Sequence, residues 1–151
     1  MSIDDQAASL LEAAIKNIGL ERAKDLLREA AHTPEDKTLT IIANQNAHHI
    51  PAKYLRGEVY VASKGNIDFS SLSAIEGQYV EIIERLKKKL MRKAWSKVYL
   101  IPTGHPTLSL QIKSAVYRIT RLDTTDLFYS NGEYYDITIN WRDQRDFGPS
   151  K

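Results

Sequence analysis

Two hydrophobic periods alternate along the chain. Leu10, Leu11, Ala14, Ile15 and Ile18, then Ala23, Leu26, Leu27 and Ala30, recur every three or four positions, which predicts helix over residues 3–31. Gly19 interrupts the pattern and predicts a break or kink. His32, Thr33 and Pro34 signal the end of the helical region, and Glu35 to Lys37 form a polar connector. The period then shortens. TLTIIA (38–43) is β-branched and predicts a first strand, stopped by Asn44, Gln45 and Asn46; EVYVAS (58–63) predicts a second, closed by a turn at Gly65 and Asn66. Between them, residues 47–56 contain Pro51 and follow neither period.

Residues 70–95 return to helical spacing through Leu72, Ile75, Tyr79, Ile82, Ile83, Leu86 and Leu90. The basic end of this segment, Lys87, Lys88, Lys89, Arg92 and Lys93, suits a helix C-terminus and reads as a solvated face, with a functional basic patch as the alternative. Lys97 to Ile101 is apolar without alternation, as in a central strand covered on both faces. A helix from Thr107 to Arg121 follows. Asp126–Tyr129 and Tyr134–Ile139 flank Ser130, Asn131 and Gly132, a β-hairpin signal. This order predicts an α/β fold: a mostly parallel sheet with flanking helices and a C-terminal antiparallel hairpin. It also predicts an N-terminal helical region over 1–36, an α/β domain over 37–142 and a flexible tail over 143–151, too poor in apolar residues to pack.

Composition narrows the class. A hydrophobic share of 42% and a charged share of 26% over 151 residues match one ordinary soluble globular domain. The absence of cysteine excludes disulfides and thiolate metal sites. No apolar run is long enough for a membrane span, and the N-terminal residues lack the pattern of a signal peptide, so a cytoplasmic protein with no membrane partner is expected. A formal charge of +2 is too small to announce a duplex DNA binder, although a sequence pI of 8.7 leaves room for a local basic surface.

The candidate chemistry gathers after the strands. Thr103, Gly104, His105, Pro106 and Thr107 follow the third strand, with Ser109 on the next turn and Lys113 on the same helical face as Ser109. In a parallel sheet, ligands settle beyond the carboxyl ends of the strands, where a helix start presents unpaired N–H groups to an anion. Gly104 permits close backbone approach, and the hydroxyls of Thr103, Thr107 and Ser109 offer donors; the alternative is a threonine helix cap after a tight turn. Asn44 and Asn46 after strand one, and Ser63, Lys64 and Asn66 after strand two, converge on the same rim, with amides and a lysine suited to nucleobase edges and phosphates. His105 reads as a base, a proton donor or a stacking group. His48 and His49 are adjacent and lack a third ligand, so no metal and no cofactor is expected. Asp123 and Asp126 read as turn residues. No phosphate-binding P-loop, dinucleotide loop or nucleophile elbow is present, and acidic residues in LERAKDLLREA argue against a DNA recognition helix.

From Glu58 onward the chain resembles the CARF and SAVED sensor domains, Rossmann-like receptors for cyclic oligonucleotide messengers in CRISPR and CBASS antiphage defence. KVYLIPTGHPTLSLQIKSAV resembles their strand, small-residue loop and helix, and DLFYSNGEYYDITI their closing aromatic hairpin. The resemblance implies messenger contacts from Thr103, Gly104, His105, Thr107 and Ser109. Where the family often carries a second glycine and a lysine, this chain has His105 and Thr107. It further implies a homodimer, or a subunit of an effector complex, because the chain has length for one such half. A binding module is the expected function. The alternatives are a ring-nuclease-like phosphodiesterase using His105 or Lys113, and a structural or interaction subunit docking through the apolar faces of residues 3–31.

Overall fold

The computed structural model describes residues 3–31, 37–46 and 48–139, in two compact units that divide between residues 33 and 34. The expected helix-end signals at 32–34, most of the polar connector and the tail from 143 lie outside the described residues. In the first unit, α1 (Ile3–Ile18) and α2 (Leu20–Ala31) are separated by Gly19 at φ +87°. The left-handed glycine ends α1 as its N–H donates to Ile15 O at 2.9 Å, which is the expected break.

The second unit is a five-stranded sheet in the order β2-β1-β3-β4-β5, with β1 (Thr38–Ile42), β2 (Glu58–Val61), β3 (Lys97–Ile101), β4 (Thr125–Ser130) and β5 (Glu133–Ile137). The first four strands run parallel and β5 returns antiparallel to β4, as expected from the sequence. Two crossovers carry helices, α3 (Leu72–Leu90) and α4 (Pro106–Thr120), and these bury Ile82, Leu86 and Leu90, and Leu108, Ile112 and Val116, over Leu39, Ile41, Val98 and Leu100. The connection from β1 to β2 carries only a 3-10 turn at Ala52–Tyr54. With Asn44, Asn46 and Pro51 and no 3.6-residue apolar period, it cannot form the usual crossover helix. It lies over the other face of the sheet, where Tyr54, Ile50 and Leu55 pack with Ile42, Ile101 and Leu127.

Several boundaries differ from the sequence reading for local reasons. The helix expected over 70–95 starts at Leu72 because Ser71 caps it, accepting from Ala74 N at 3.1 Å. It stops at Leu90, whose carbonyl accepts from the Trp95 indole at 3.1 Å. Part of its basic end is structural, since Lys89 and Lys93 pair with Glu58 on β2 and lie over the Trp95 ring. β2 ends at Val61 rather than Ser63, as the following residues join the rim described below. Asp126 is not a turn residue: it lies in β4, opposite Ile137, and binds Lys113 at 2.8 Å.

Arg56 fastens the irregular connection to the sheet. Its guanidinium lies 4.2 Å from the centre of the Tyr99 ring and forks onto Asp136 of β5 at 2.6 and 2.9 Å. Its backbone exchanges two hydrogen bonds with the buried Thr40 hydroxyl. The fork holds the Asp136 carboxyl below its ordinary range. Its stabilising contribution is therefore complete above the unfolded-state pKa, about 4, and disappears as pH falls through the lower folded value. Both side chains remain partly exposed, so Asp136→Asn is expected to cost about 0.5–1 kcal/mol at pH 7 and progressively less as pH falls below about 4, measured by urea unfolding across pH.

Candidate functional site

Three strand ends meet at one rim, and a buried amide ties them together. Asn44, 5% exposed, donates through Nδ2 to Ser63 Oγ at 3.0 Å and to Gly65 O at 2.9 Å. Its backbone N–H donates to Thr103 Oγ1 at 3.1 Å, and that hydroxyl donates to Asn44 O at 2.5 Å. Ser63 Oγ donates in turn to Ala43 O at 2.6 Å. The convergence read from the sequence is present, but Asn44, Ser63 and Thr103 bind one another across it. Gly104 closes the knot at φ +83°, where an added Cβ would stand 2.7 Å from Asn44 Cβ.

The residues that follow serve the start of α4. His105 caps it, with Nδ1 accepting from Thr107 N at 3.3 Å. The cap is thus the histidine, where the sequence alternative was a threonine. Thr107 Oγ1 bridges His105 Nδ1, at 2.8 Å, and the Tyr79 hydroxyl, at 2.7 Å, and Phe69 packs on the imidazole with ring centres 5.1 Å apart. Ser109 is buried, its Oγ without a hydrogen-bond partner among the described residues. Lys113 donates to Thr124 O, Thr124 Oγ1 and Asp126, which ties α4 to β4.

A cleft lies beside this rim, on the face bearing the irregular connection. It measures about 500 Å³ and opens beyond the carboxyl ends of β3 and β4, between His48, His49 and Pro51 on one side and Tyr129 and Tyr134 on the other. Ile101, Pro102 and Leu127 form its apolar base, and Thr103, whose hydroxyl is engaged with Asn44, borders it. The phenol rings of Tyr129 and Tyr134 meet edge to face at 5.2 Å, and Tyr134 meets Tyr54 likewise at 5.0 Å. Burial pushes the Tyr134 phenol up, so it stays protonated at neutral pH and can donate a hydrogen bond. A second depression of about 380 Å³ shares His48 and His49 and adds Asn44, Gln45 and Asn46.

The residues expected at one site are thus distributed. Thr103 lines the cleft below the hairpin tyrosines, Asn44 and Asn46 line its neighbour, and Ser63 and Lys64 line a separate hollow beside β2. Gly104, His105 and Thr107 face none of these. The histidine pair and the hairpin tyrosines line the cleft without having been singled out from the sequence as candidate ligand contacts. Their signal was faint: paired aromatics at a strand end and an imidazole pair in a segment with no secondary-structure period. No group of three potential metal-ligating side chains occurs among the described residues, and none of their helices is long and apolar enough to cross a membrane. Set against family models, curated proteins and solved structures, the chain has no match. The resemblance to CARF and SAVED domains therefore rests on the residues quoted for it.

Gly104→Ala is expected to destabilise the protein by roughly 2–4 kcal/mol, combining left-handed strain with the clash on Asn44. Gly65→Ala, also at positive φ but with open space around it, should lose only about 1 kcal/mol in the same denaturant titration.

Proposed function

We propose that this chain is a cytoplasmic binding module for a cyclic oligonucleotide or related nucleotide in antiphage defence, acting through self-assembly or a partner effector. The observation that carries the reading is the cleft at the carboxyl ends of β3 and β4. Open α/β sheets bind ligands outside their carboxyl strand ends, and about 500 Å³ lies within the usual range of small-molecule sites. Tyr129, Tyr134, His48 and His49 supply flat faces for stacking bases and donors for their edges. The neighbouring depression behind the same histidines gives room for a second moiety of a ligand longer than one nucleotide. Among the described residues no lysine or arginine lines this cleft, so stacking and hydrogen bonding with those residues, rather than ion pairing, would carry most of the affinity.

The enzymatic alternative moves to different residues. His105 is held as a helix cap and Lys113 is tied to β4, so metal-independent attack by a ligand 2′-hydroxyl would fall to His48 or His49 as base. Recovery of labelled cyclic tri- or tetranucleotide intact after long incubation would remove this reading and leave binding untouched.

Calorimetry against a panel of cyclic di-, tri- and tetranucleotides should give heat with at least one member. Tyr129→Ala should weaken that binding by roughly tenfold or more, through the lost stacking face, without altering the far-UV circular dichroism. No heat with any member would sink the proposal.

A further inference from the structure

The hairpin leaves a strand edge open. Tyr134 N–H donates to the Tyr54 hydroxyl at 3.2 Å rather than to β4, and main-chain donors along an antiparallel strand alternate in direction. The N–H groups of Asp136 and Thr138 therefore point the same way as that of Tyr134, out along an edge with which no other strand among the described residues pairs. Residues 133–139 read EYYDITI, with neither the lysine nor the proline that commonly blunts such an edge.

The face beside this edge is also uncovered. Lys113 of α4 reaches Asp126, so Asp126 marks the helix-bearing side of the sheet. Phe128 shares that side by alternation, and the ladder partners of the two, Ile137 and Tyr135, share it as well. Phe128, Tyr135, Ile137 and Ile139 are 54%, 50%, 44% and 47% exposed. Leu110 and Tyr117 are also exposed, on the α4 stripe that holds Lys113. Tyr135, Ile137 and Ile139 therefore make the open edge apolar on this face.

We propose that β5 pairs with β5 of a second copy of this chain, antiparallel about a two-fold axis at Ile137, to form one continuous sheet. An isologous contact needs a self-complementary register, and among registers centred on a residue of β5 the edge favours one. Centred on Ile137, the pairing sets Ile137 against its mate, Tyr135 against Ile139 and Asp136 against Thr138, and opposes no like charges. It uses the outward donors of Asp136 and Thr138 and leaves Tyr134 with Tyr54. A register centred on Tyr135 needs the Tyr134 N–H, which is already engaged, and one centred on Asp136 sets two carboxylates face to face. The pairing does not depend on the ligand reading above.

The chain contains no cysteine, so a single introduced thiol reports the geometry. Facing residues of paired strands have Cα atoms about 4.5–5.5 Å apart, within the roughly 4.4–6.8 Å that a disulfide spans. In the full chain, Ile137→Cys should form a covalent dimer under mild oxidation at least roughly tenfold faster than Val59→Cys, on the opposite sheet edge. Sedimentation should give twice the chain mass of 17.2 kDa for the unmodified protein at micromolar concentration. Ile137→Lys should sediment as a monomer with unchanged circular dichroism. A monomeric unmodified protein, a dimer that Ile137→Lys leaves intact, or equal cross-linking at the two cysteine positions would each overturn the proposal. The second of these would point instead to the exposed apolar faces of α1 and α2.

Discussion

The buried hydrogen-bond knot around Asn44 is the constraint on which the rim depends. Three parallel strands end side by side, and their last carbonyls and first loop donors lose the partners that the sheet gave them. A buried polar group left without a partner costs roughly 1–3 kcal/mol. Asn44 answers several of these demands with one amide and one backbone N–H, and Ser63 and Thr103 complete the exchange. The polar side chains that look ligand-ready in the sequence are therefore spent on holding β1, β2 and β3 in register. Gly104 follows from the same constraint, because the chain leaving β3 must pass against Asn44 closely enough to exclude a Cβ.

With the strand ends held from within, the cleft forms where the sheet is least regularly covered. A crossover helix between β1 and β2 would pack along that face; the irregular connection instead runs over Ile42, Ile101 and Leu127 and stands its histidines opposite the hairpin tyrosines. Arg56 makes this arrangement stable without helical hydrogen bonding. It reaches residues far apart in sequence, Thr40, Tyr99 and Asp136, through backbone, cation–π and ion-pair contacts. The fork on Asp136 also joins the connection to the edge strand, so both walls of the cleft are tied to the same guanidinium.

The elements themselves were legible because they rest on short-range physics. Apolar spacing, the Asn131-Gly132 turn and the β-branched runs marked both helical regions, the parallel strands and the closing hairpin, and the unbroken apolar run of β3 marked it as central. The ends of elements were less legible, since they depend on partners that sequence neighbours do not reveal: the Trp95 indole on Leu90 O, or the Ser71 cap on α3. The site was least legible. Lys113, Ser109 and Thr103 share a residue class and a neighbourhood in sequence, yet one binds β4, one is buried in the core and one closes the rim.

The pattern of side chains along the chain determined which segments are helix or strand and in what order, because hydrophobic period and turn chemistry act over a few residues at a time. It also determined that polar residues would gather at the carboxyl ends of three strands. Only the tertiary structure decided whether those residues face a ligand or each other. A hydrogen bond between Asn44 and Thr103 spans 59 positions, and the direction of a side chain at a strand end is set by what packs against it. The cleft between His48 and Tyr134 is likewise a property of the folded sheet: its two walls meet only when β3 and β4 lie side by side and the connection from β1 closes over them.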